Sequence, residues 1–360
     1  MTEQIIYLNA GIFMAIWLSL ILKPSWQMNG FLISTLLLLV FISQTTAVAL
    51  LLFSSLIYAC GHLFIHSHRK TAIFVGIAVS VLVFIGAKTL HAQGNQVVFI
   101  GVIYVVCRQI HFLVDTLKNS TLSCGYLSYL RYQCFLPCLI AGPIHRADDF
   151  ERQLRRRKVS LMAISNGLER VVWGHFKVIV LAAALVNHIE LHSLLWLQHP
   201  YTTALVSSLF DWIKLYLVFS GFADIAIGFS LMLGITIKEN FNFPFVSQNI
   251  NEFWQRWHIS LSQWCKSYVF APALAVSRSV FFASVLTMVV IGLWHEFSMR
   301  YVLWGIYHAT GLIGYQWYSR QTWRPQLPKV IAAVLTLLFV ISSYPITLYI
   351  NQQIMGWLGG

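Results

Sequence analysis

Residues 201–235, YTTALVSSLFDWIKLYLVFSGFADIAIGFSLMLGI, contain only three charged side chains, Asp211, Lys214 and Asp224. A helix of about 20 consecutive apolar residues is long enough to cross the hydrocarbon core of a bilayer. The apolar residues run continuously and lack the ten-residue alternation of a β-barrel strand. This stretch therefore predicts a membrane helix.

Similar apolar stretches recur along all 360 residues, which are 58% hydrophobic, only 10% charged and have a mean hydropathy of +0.70. These values lie outside the range of soluble proteins. We expect an all-α, polytopic integral membrane protein with about 9–11 membrane helices, including re-entrant segments. The apolar segments lie near residues 4–22, 31–43, 46–65, 71–87, 96–114, 125–141, 161–187, 201–235, 267–293, 300–317 and 329–350. Because Pro137 interrupts segment 125–141, we expect a half-membrane helix there.

The net charge of +12 comes from 24 basic and 12 acidic residues. In a soluble protein this excess would suggest a nucleic acid partner, but here the basic residues cluster between apolar segments. The strongest cluster, residues 145–158, is interpreted as a short loop with six Lys and Arg residues. The positive-inside rule predicts that this loop is cytoplasmic. We expect the protein to be a multi-pass protein of the inner membrane, in contact with lipids and without a nucleic acid partner. The loop could also bind an acidic carrier protein.

Cysteine and histidine spacing does not indicate a metal site. His188 and His192 flank Glu190, which is at the wrong offset for a His-Glu-x-x-His motif, so we expect no bound metal. A second histidine group is also an incomplete ligand set: His62, His66 and His68. The cysteines lack C-x-x-C spacing and are interpreted as small core residues: Cys60, Cys107, Cys124, Cys134, Cys138 and Cys265.

Polar residues are most concentrated between Ser220 and Ser267. If the stretch from Asn251 is one helix, four residues share a face at i, i+3, i+4 and i+7: Trp254, Trp257, His258 and Leu261. Such a Trp-rich helix suits the mouth of a cavity or the headgroup boundary. Two interpretations stay open for His258, a functional imidazole and a hydrogen-bonded residue of an interfacial anchor.

His295 lies where the apolar span from Val280 to Leu293 meets the polar residues Glu296 and Arg300. A buried imidazole is neutral near pH 7 and can accept a proton, which is the state that a general base needs. A hydrogen-bonded packing role is the alternative for this histidine.

Several motifs resemble those of the membrane-bound O-acyltransferase family, with the similarity strongest over residues 100–315. We expect residues 1–360 to form a single domain of this family. The motifs are HFLVD (111–115), LIAGPIHR (139–146), SGFADIAIG (220–228), ENFNFPF (239–245), EFWQRWHISLSQW (252–264), GLWH (292–295) and LWGIYH (303–308).

The resemblance implies a ring of tilted helices around a tunnel, with His295 at the position of the family's nearly invariant histidine and His258 at that of its second. We expect His295 to act as general base, and His258 to orient a substrate or share the proton. Polar contacts, to substrate or within the protein, are expected from Asp224, Asn251, Arg256 and Ser262. A pair of Asp224 with Lys or Arg is an equally good interpretation.

The family also implies the substrates. A thioester, either acetyl-CoA or an acyl carrier protein, would donate the acyl group as a co-substrate, without a permanently bound cofactor. The acceptor would be a hydroxyl of an envelope polysaccharide, and a partner could be an accessory envelope acyltransferase. Transfer of D-alanine from a carrier protein to teichoic acid and a non-enzymatic transporter remain alternatives. Glu296 stands where the family usually has glycine, and its carboxylate could orient the ring of His295 or favour its protonation.

Overall fold

The structure is a computed structural model that describes residues 2–62, 69–92, 101–118, 125–139, 142–197, 199–323 and 327–358. All regular elements in these ranges are helical, which confirms the all-α class. Within the described ranges, five helices are long and apolar enough to cross a membrane: Gln44–His62, Lys70–Thr89, Leu161–Leu194, Pro200–Met232 and Lys329–Trp357. The predicted tunnel stays a prediction.

The described chain divides into two compact units. Unit 1 contains Met1–Gly174 and Phe222–Lys238, and unit 2 contains His175–Gly221 and Glu239–Gly360. The α-helices in chain order are α1 (Thr2–Leu20), α2 (Gln27–Ile42), α3 (Gln44–His62), α4 (Arg69–Ala92), α5 (Val102–Lys118), α6 (Tyr126–Gln133), α7 (Ala147–Arg156), α8 (Leu161–His175), α9 (Asn187–Leu194), α10 (Pro200–Met232), α11 (Ile250–Arg256), α12 (Ile259–Cys265), α13 (Ala271–Ser277), α14 (Val280–His295), α15 (Met299–Ser319) and α16 (Lys329–Leu358).

Short stretches of other helix types join several of these α-helices. Two are π-helical, Phe176–Val186 and Lys266–Phe270, and two are 3₁₀ turns, Leu136–Cys138 and Pro244–Val246. The π-helical stretch Phe176–Val186 follows α8 and precedes α9 in the chain.

Two sequence predictions about local structure are wrong. Residues 147–156, predicted as part of a loop, form the helix α7, which buries Ala147 and Phe150 on its apolar side. The predicted single segment 267–293 is interrupted at Arg278, whose φ of 52° is left-handed and ends α13. Ser279 then caps α14 by accepting a hydrogen bond from the amide of Phe282 at 3.2 Å.

The core of unit 1 is a continuous apolar cluster that includes Phe31, Ile57, Phe112, Phe135 and Phe229. Five of the six cysteines are free and buried here or in unit 2, and Cys124 lies outside the described residues. The histidines at positions 66 and 68 also lie outside them.

In unit 2, α14 and α15 approach so closely that glycines are required at their contact. A Cβ atom on Gly305 would lie 2.5 Å from the carbonyl oxygen of Met288, and one on Gly292 would overlap the carbonyl oxygen of Tyr301. Small residues of this kind let membrane helices pack backbone to backbone. The contact fixes the end of α14, where His295 is the last residue.

We predict that Gly305→Ala destabilises unit 2 by about 1–3 kcal/mol, because the added methyl group must push α15 away from the α14 backbone. The measurement is the unfolding midpoint of the full chain in detergent. Gly314→Ala is the matched control in the same helix, since a Cβ atom there meets nothing within 4 Å. Equal midpoints for the two variants would contradict the proposed close contact.

Candidate active site

The helix predicted from Asn251 onward is broken at His258, so the predicted common face does not exist. Trp257 is extended (φ −98°, ψ 128°) and His258 is left-handed (φ 43°, ψ 55°), which separates α11 from α12. A left-handed backbone is unfavourable for a residue with a Cβ atom and persists only where its surroundings enforce it. Trp257 and His258 are 2% and 1% exposed, so they belong to the interior of unit 2 and not to an exposed anchor.

Asn240, from the ENFNFPF motif, enforces this break. Its backbone carbonyl accepts from the amide of Ile259 at 2.9 Å, and its side-chain oxygen accepts from the amide and hydroxyl of Ser260 at 3.1 and 2.9 Å. On the other side of the break, the amide of Asn242 donates to the carbonyl of Arg256 at 2.9 Å. The loop thereby satisfies backbone groups that an unbroken helix would have paired internally.

The imidazole of His258 caps α12. Its Nδ1 accepts a hydrogen bond from the amide of Leu261 at 3.3 Å. Burial, followed by the charge of the nearby His295, lowers the pKa of His258 to about 3, so the ring is neutral at pH 7. Because Nδ1 is an acceptor, the single ring proton is assigned to Nε2, which is buried without a hydrogen-bond partner. His258 is thus a hydrogen-bond donor and not a free base.

Trp294 contacts both histidines. Its ring centroid lies 5.4 Å from that of His258 and 4.8 Å from that of His295, with both pairs nearly perpendicular. His295 is half-buried and also contacts Trp304, at 5.7 Å between centroids. The structure therefore brings together the two histidines that the sequence singled out, around one indole. Glu296, in contrast, is exposed.

His295 lines a cavity of about 300 Å³ within unit 2. Five aromatic side chains form much of its wall: Trp212, Trp257, Tyr301, Trp304 and Tyr344. The polar residues of the wall, besides His295, are Ser208, Asp211, Arg300 and Thr347. An aromatic cavity with a few convergent polar groups and a histidine is the usual form of a small-molecule or substrate site.

A proline shapes one side of this cavity. Pro345 lies inside α16, where it has no amide hydrogen to donate to the carbonyl of Ile341 four residues earlier. The hydroxyl of Ser208, from α10, donates to that carbonyl instead, at 2.6 Å. Ser208 and Ile341 are 1% and 6% exposed, so an unpaired carbonyl there would be costly. This bond links α10 and α16 beside the cavity, next to Tyr344 and Thr347.

Three of the other predicted site residues lie elsewhere in unit 2. Asn251 and Ser262 line a second cavity, of about 610 Å³, and not the one with His295. The hydroxyl of Ser262 donates to the carbonyl of Trp257 at 3.3 Å. Arg256 pairs with Glu252 at 2.7 Å, so its charge is used within α11.

Asp224 belongs to unit 1, where its carboxylate pairs with Arg170 at 2.8 Å. A second ion pair in unit 1 joins two motifs of the sequence, because Asp115 accepts from Arg146 at 2.6 Å and from His111 at 2.9 Å. His111, Asp115 and Asp148 lie close enough to hold a metal ion in principle. The guanidinium on Asp115 argues for an ion-pair network, and the absence of a metal stays a prediction.

Sequence reasoning missed most of the His295 cavity. Trp212, Arg300 and Tyr344 come from α10, α15 and α16, which are far apart in the chain. One local feature of the sequence could have indicated a site on α10. The apolar segment contains two closely spaced charged residues, Asp211 and Lys214. Asn240 was quoted within a motif, but its hydrogen bonds to α12 could not be deduced from it.

The described chain is all-helical, with several helices of membrane length. Two histidines contact one indole beside an aromatic cavity. These features define a class, the multi-pass membrane proteins with a buried polar site. The comparison with protein families is specific within this class, since the model of the membrane-bound O-acyltransferase family matches residues 5–350. The chain belongs to the membrane-bound O-acyltransferase family.

Its similarity to individual proteins covers three chemistries. It is 33% identical over 270 residues to the probable alginate O-acetylase AlgI of Pseudomonas syringae pv. tomato, covering 72% of this chain and 51% of that protein. It is 30% identical to the peptidoglycan O-acetyltransferase of Helicobacter pylori, over 60% of this chain and 42% of that protein. The teichoic acid D-alanyltransferase of Bacillus subtilis is 27% identical, over 71% of this chain and 69% of its own length. The chain spans about half the length of the alginate O-acetylases that it matches.

We predict that Asn240→Ala destabilises the break between α11 and α12 by about 1 kcal/mol, because the amide and hydroxyl of Ser260 lose their acceptor. Hydrogen exchange of residues 257–262 in the detergent-solubilised full chain measures this. Asn240→Asp, which keeps the acceptor oxygen, should exchange more slowly than Asn240→Ala.

Asn242→Ala is the matched control, because Asn242 contributes its backbone amide to the break and its side chain is exposed. If Asn240→Ala and Asn242→Ala exchanged at the same rate as the unmodified chain, Asn240 would have no role in holding His258.

Proposed function

We propose that this chain is a membrane-bound O-acyltransferase that moves an acyl group, acetyl in the first instance, from a thioester donor to a hydroxyl of an envelope polysaccharide. The observation that supports this most is the position of His295 in the wall of an aromatic cavity, with the neutral His258 buried beside it. The similarity to proteins named as O-acetylases of alginate and peptidoglycan supports the transferred group and the kind of acceptor.

The chemistry requires one base. The acceptor hydroxyl oxygen attacks the thioester carbonyl carbon while its proton passes to an imidazole nitrogen of His295. The tetrahedral intermediate then collapses, the carbon–sulfur bond breaks, and the leaving thiolate takes the proton back from His295. The products are an ester and a thiol, and His295 returns to its neutral form. A thioester is already activated, so positioning in the cavity supplies much of the remaining rate.

His258 has a different role in this scheme. Its Nδ1 is used by the amide of Leu261, so its remaining polar atom is the Nε2–H donor. We assign His258 as a positioning residue that donates a hydrogen bond toward the neighbourhood of Trp294 and His295. This positioning role is narrower than the role predicted from the sequence. Sharing the proton would need a ring nitrogen that is free to accept it, and Nδ1 is already used by Leu261.

The donor and the cellular location belong to the same proposal. Acetyl-CoA or an acylated carrier protein would be a transient co-substrate, and an accessory envelope acyltransferase could pass the group onward. The protein would lie in the inner membrane. Residues 145–158 would be on the cytoplasmic side, since the exposed arginines of α7 and the exposed Lys158 that follows it agree with the positive-inside rule.

We predict that His295→Ala lowers O-acylation of the envelope polymer by about 10²–10⁴-fold, the usual contribution of a general base. The full chain and its variants would be expressed in a host deleted for the protein, and the polymer analysed by mass spectrometry. His192→Ala removes an exposed histidine of α9 and should leave the product unchanged. Equal product from the unmodified chain and His295→Ala, at equal amounts in the membrane, would refute the assignment.

His258→Asn tests the positioning role separately from helix capping. Asparagine tolerates the left-handed backbone and is a good N-cap, so it should preserve the fold while removing the donor at the Nε2 position. We expect a lower rate of transfer with an unchanged unfolding midpoint. His258→Ala, which loses both functions, should lower the rate and the midpoint together. A fully active His258→Asn chain would show that His258 only caps α12.

D-alanyl transfer is the second candidate, and one observation favours it. The chain covers 69% of the teichoic acid D-alanyltransferase of Bacillus subtilis but 51% of the alginate O-acetylase of Pseudomonas syringae. The mass of the group found on the polymer distinguishes the two reactions. A transporter, the non-enzymatic alternative, would leave no covalent modification that depends on His295.

A further inference from the structure

Arg108, on α5 in unit 1, is the largest fully buried side chain of the described residues, with 1% of its surface exposed. Its Nε and Nη1 donate to the backbone carbonyls of Tyr104 at 3.4 Å and Tyr132 at 3.0 Å. Its Nη2 has no hydrogen-bond partner among the described residues. Carbonyl groups carry no net charge, and a buried cation without a counter-charge is costly unless a bound anion compensates it.

The acidic residue of α5 does not supply that counter-charge. The carboxylate of Asp115 accepts from Arg146 at 2.6 Å and from His111 at 2.9 Å. Asp115 also follows Arg108 by seven residues, which is about 10 Å along a helix. No other carboxylate of the described chain forms an ion pair with Arg108, so its charge is left for a bound ion to compensate.

Two glutamines of unit 1 are also buried with unpaired polar groups. Gln109 and Gln133 are both 0% exposed. Neither the nitrogen nor the oxygen of either carboxamide has a hydrogen-bond partner among the described residues. Because buried polar groups are almost always hydrogen-bonded in native proteins, two such carboxamides indicate that a polar species binds between them.

The packing of α5 against α6 brings the two glutamines together. The rings of Phe112 and Tyr129 meet there, with 4.5 Å between their centroids. Gln109 precedes Phe112 by three residues, and Gln133 follows Tyr129 by four. Residues three or four apart share a face of a helix, so both glutamines lie one turn beyond this ring contact. They lie on the same side of it, since Arg108 donates to the end of α6 at this level.

A small hydrated anion satisfies these groups. The free edge of one guanidinium and the nitrogens of two carboxamides are all N–H donors, and they can donate to one ion. A water molecule in the hydration shell of the ion can donate to the amide oxygens. The three side chains are shielded from solvent, and they carry one positive charge. These properties favour a small monovalent ion over a phosphate or a lipid headgroup.

We propose that Arg108, Gln109 and Gln133 form an anion site in unit 1 that holds one monovalent ion of the size of chloride. The ion compensates the buried guanidinium and stabilises the contact between α5 and α6. The inference is independent of the proposed acyl transfer, because none of the three residues has a part in that reaction.

The test compares the unfolding midpoint of the full chain in detergent in sodium chloride and in sodium gluconate. Gluconate is too large for an enclosed site, and equal ionic strength keeps the screening of surface charges constant. The midpoint should be higher in chloride and should rise with chloride concentration to saturation, as binding to the folded state requires. Equilibrium dialysis against radiolabelled chloride should find about one ion per chain.

Gln133→Glu tests whether the guanidinium lacks a counter-charge. The variant places a carboxylate at this level of α6 with almost no change in side-chain size, so it should replace the ion. We expect a higher midpoint in gluconate and the loss of the chloride dependence. Gln44→Glu is the matched control, because Gln44 is an exposed residue at the start of α3, and it should keep the chloride dependence. A destabilised Gln133→Glu chain that still responded to chloride would contradict the proposal.

Arg108→Gln removes the cation itself. It should weaken chloride binding at least about tenfold, a difference of about 1.4 kcal/mol, and Arg108→Lys should keep part of the affinity. Arg156→Gln removes an exposed arginine of α7 and should bind chloride like the unmodified chain. If Arg108→Gln does not fold, the result of Gln133→Glu decides. Equal midpoints of the unmodified chain in chloride and gluconate, or stabilisation by phosphate and not by chloride, would overturn the proposal.

Discussion

The site depends on the hydrogen bonds between Asn240 and the start of α12. They hold His258 in a backbone conformation that an L-residue avoids, and so turn what would be one helix into two short ones. The break sets the direction of the imidazole, and the cap on Leu261 sets its tautomer. A histidine on a regular helix would have neither constraint, and its ring could rotate among several rotamers.

This arrangement divides two functions between two imidazoles. His258 is fully buried, neutral and committed to a cap, whereas His295 is half-buried at the end of α14 and faces a cavity. The close backbone contact of α14 with α15 fixes the second ring, and the loop around Asn240 fixes the first. Their common neighbour, Trp294, contacts both rings.

The sequence predicts features that depend on local chemistry. The segment 201–235 matches α10 at 200–232 because an apolar run of that length has one stable form in lipid. The sequence singles out His258 and His295, and in the structure both rings contact Trp294. The break at Trp257 and His258 could not be predicted, since the local pattern is helical. Its cause is Asn240, which precedes its hydrogen-bond partner Ser260 by 20 residues. The interpretation of Asp224 left two options open, and its pairing with Arg170 depends on how α8 meets α10 within unit 1.

The bond between Ser208 and Ile341 has an evolutionary consequence. A proline in α16 leaves one carbonyl to be satisfied from outside the helix, and a hydroxyl on α10 does so. A homologue that kept the proline but lost the hydroxyl would have an orphaned acceptor. One that lost the proline would pair the same carbonyl within α16, so its position 208 would be free to vary. A hydroxyl at position 208 should therefore accompany proline at position 345 among related sequences, although the two side chains are joined only through the carbonyl of Ile341.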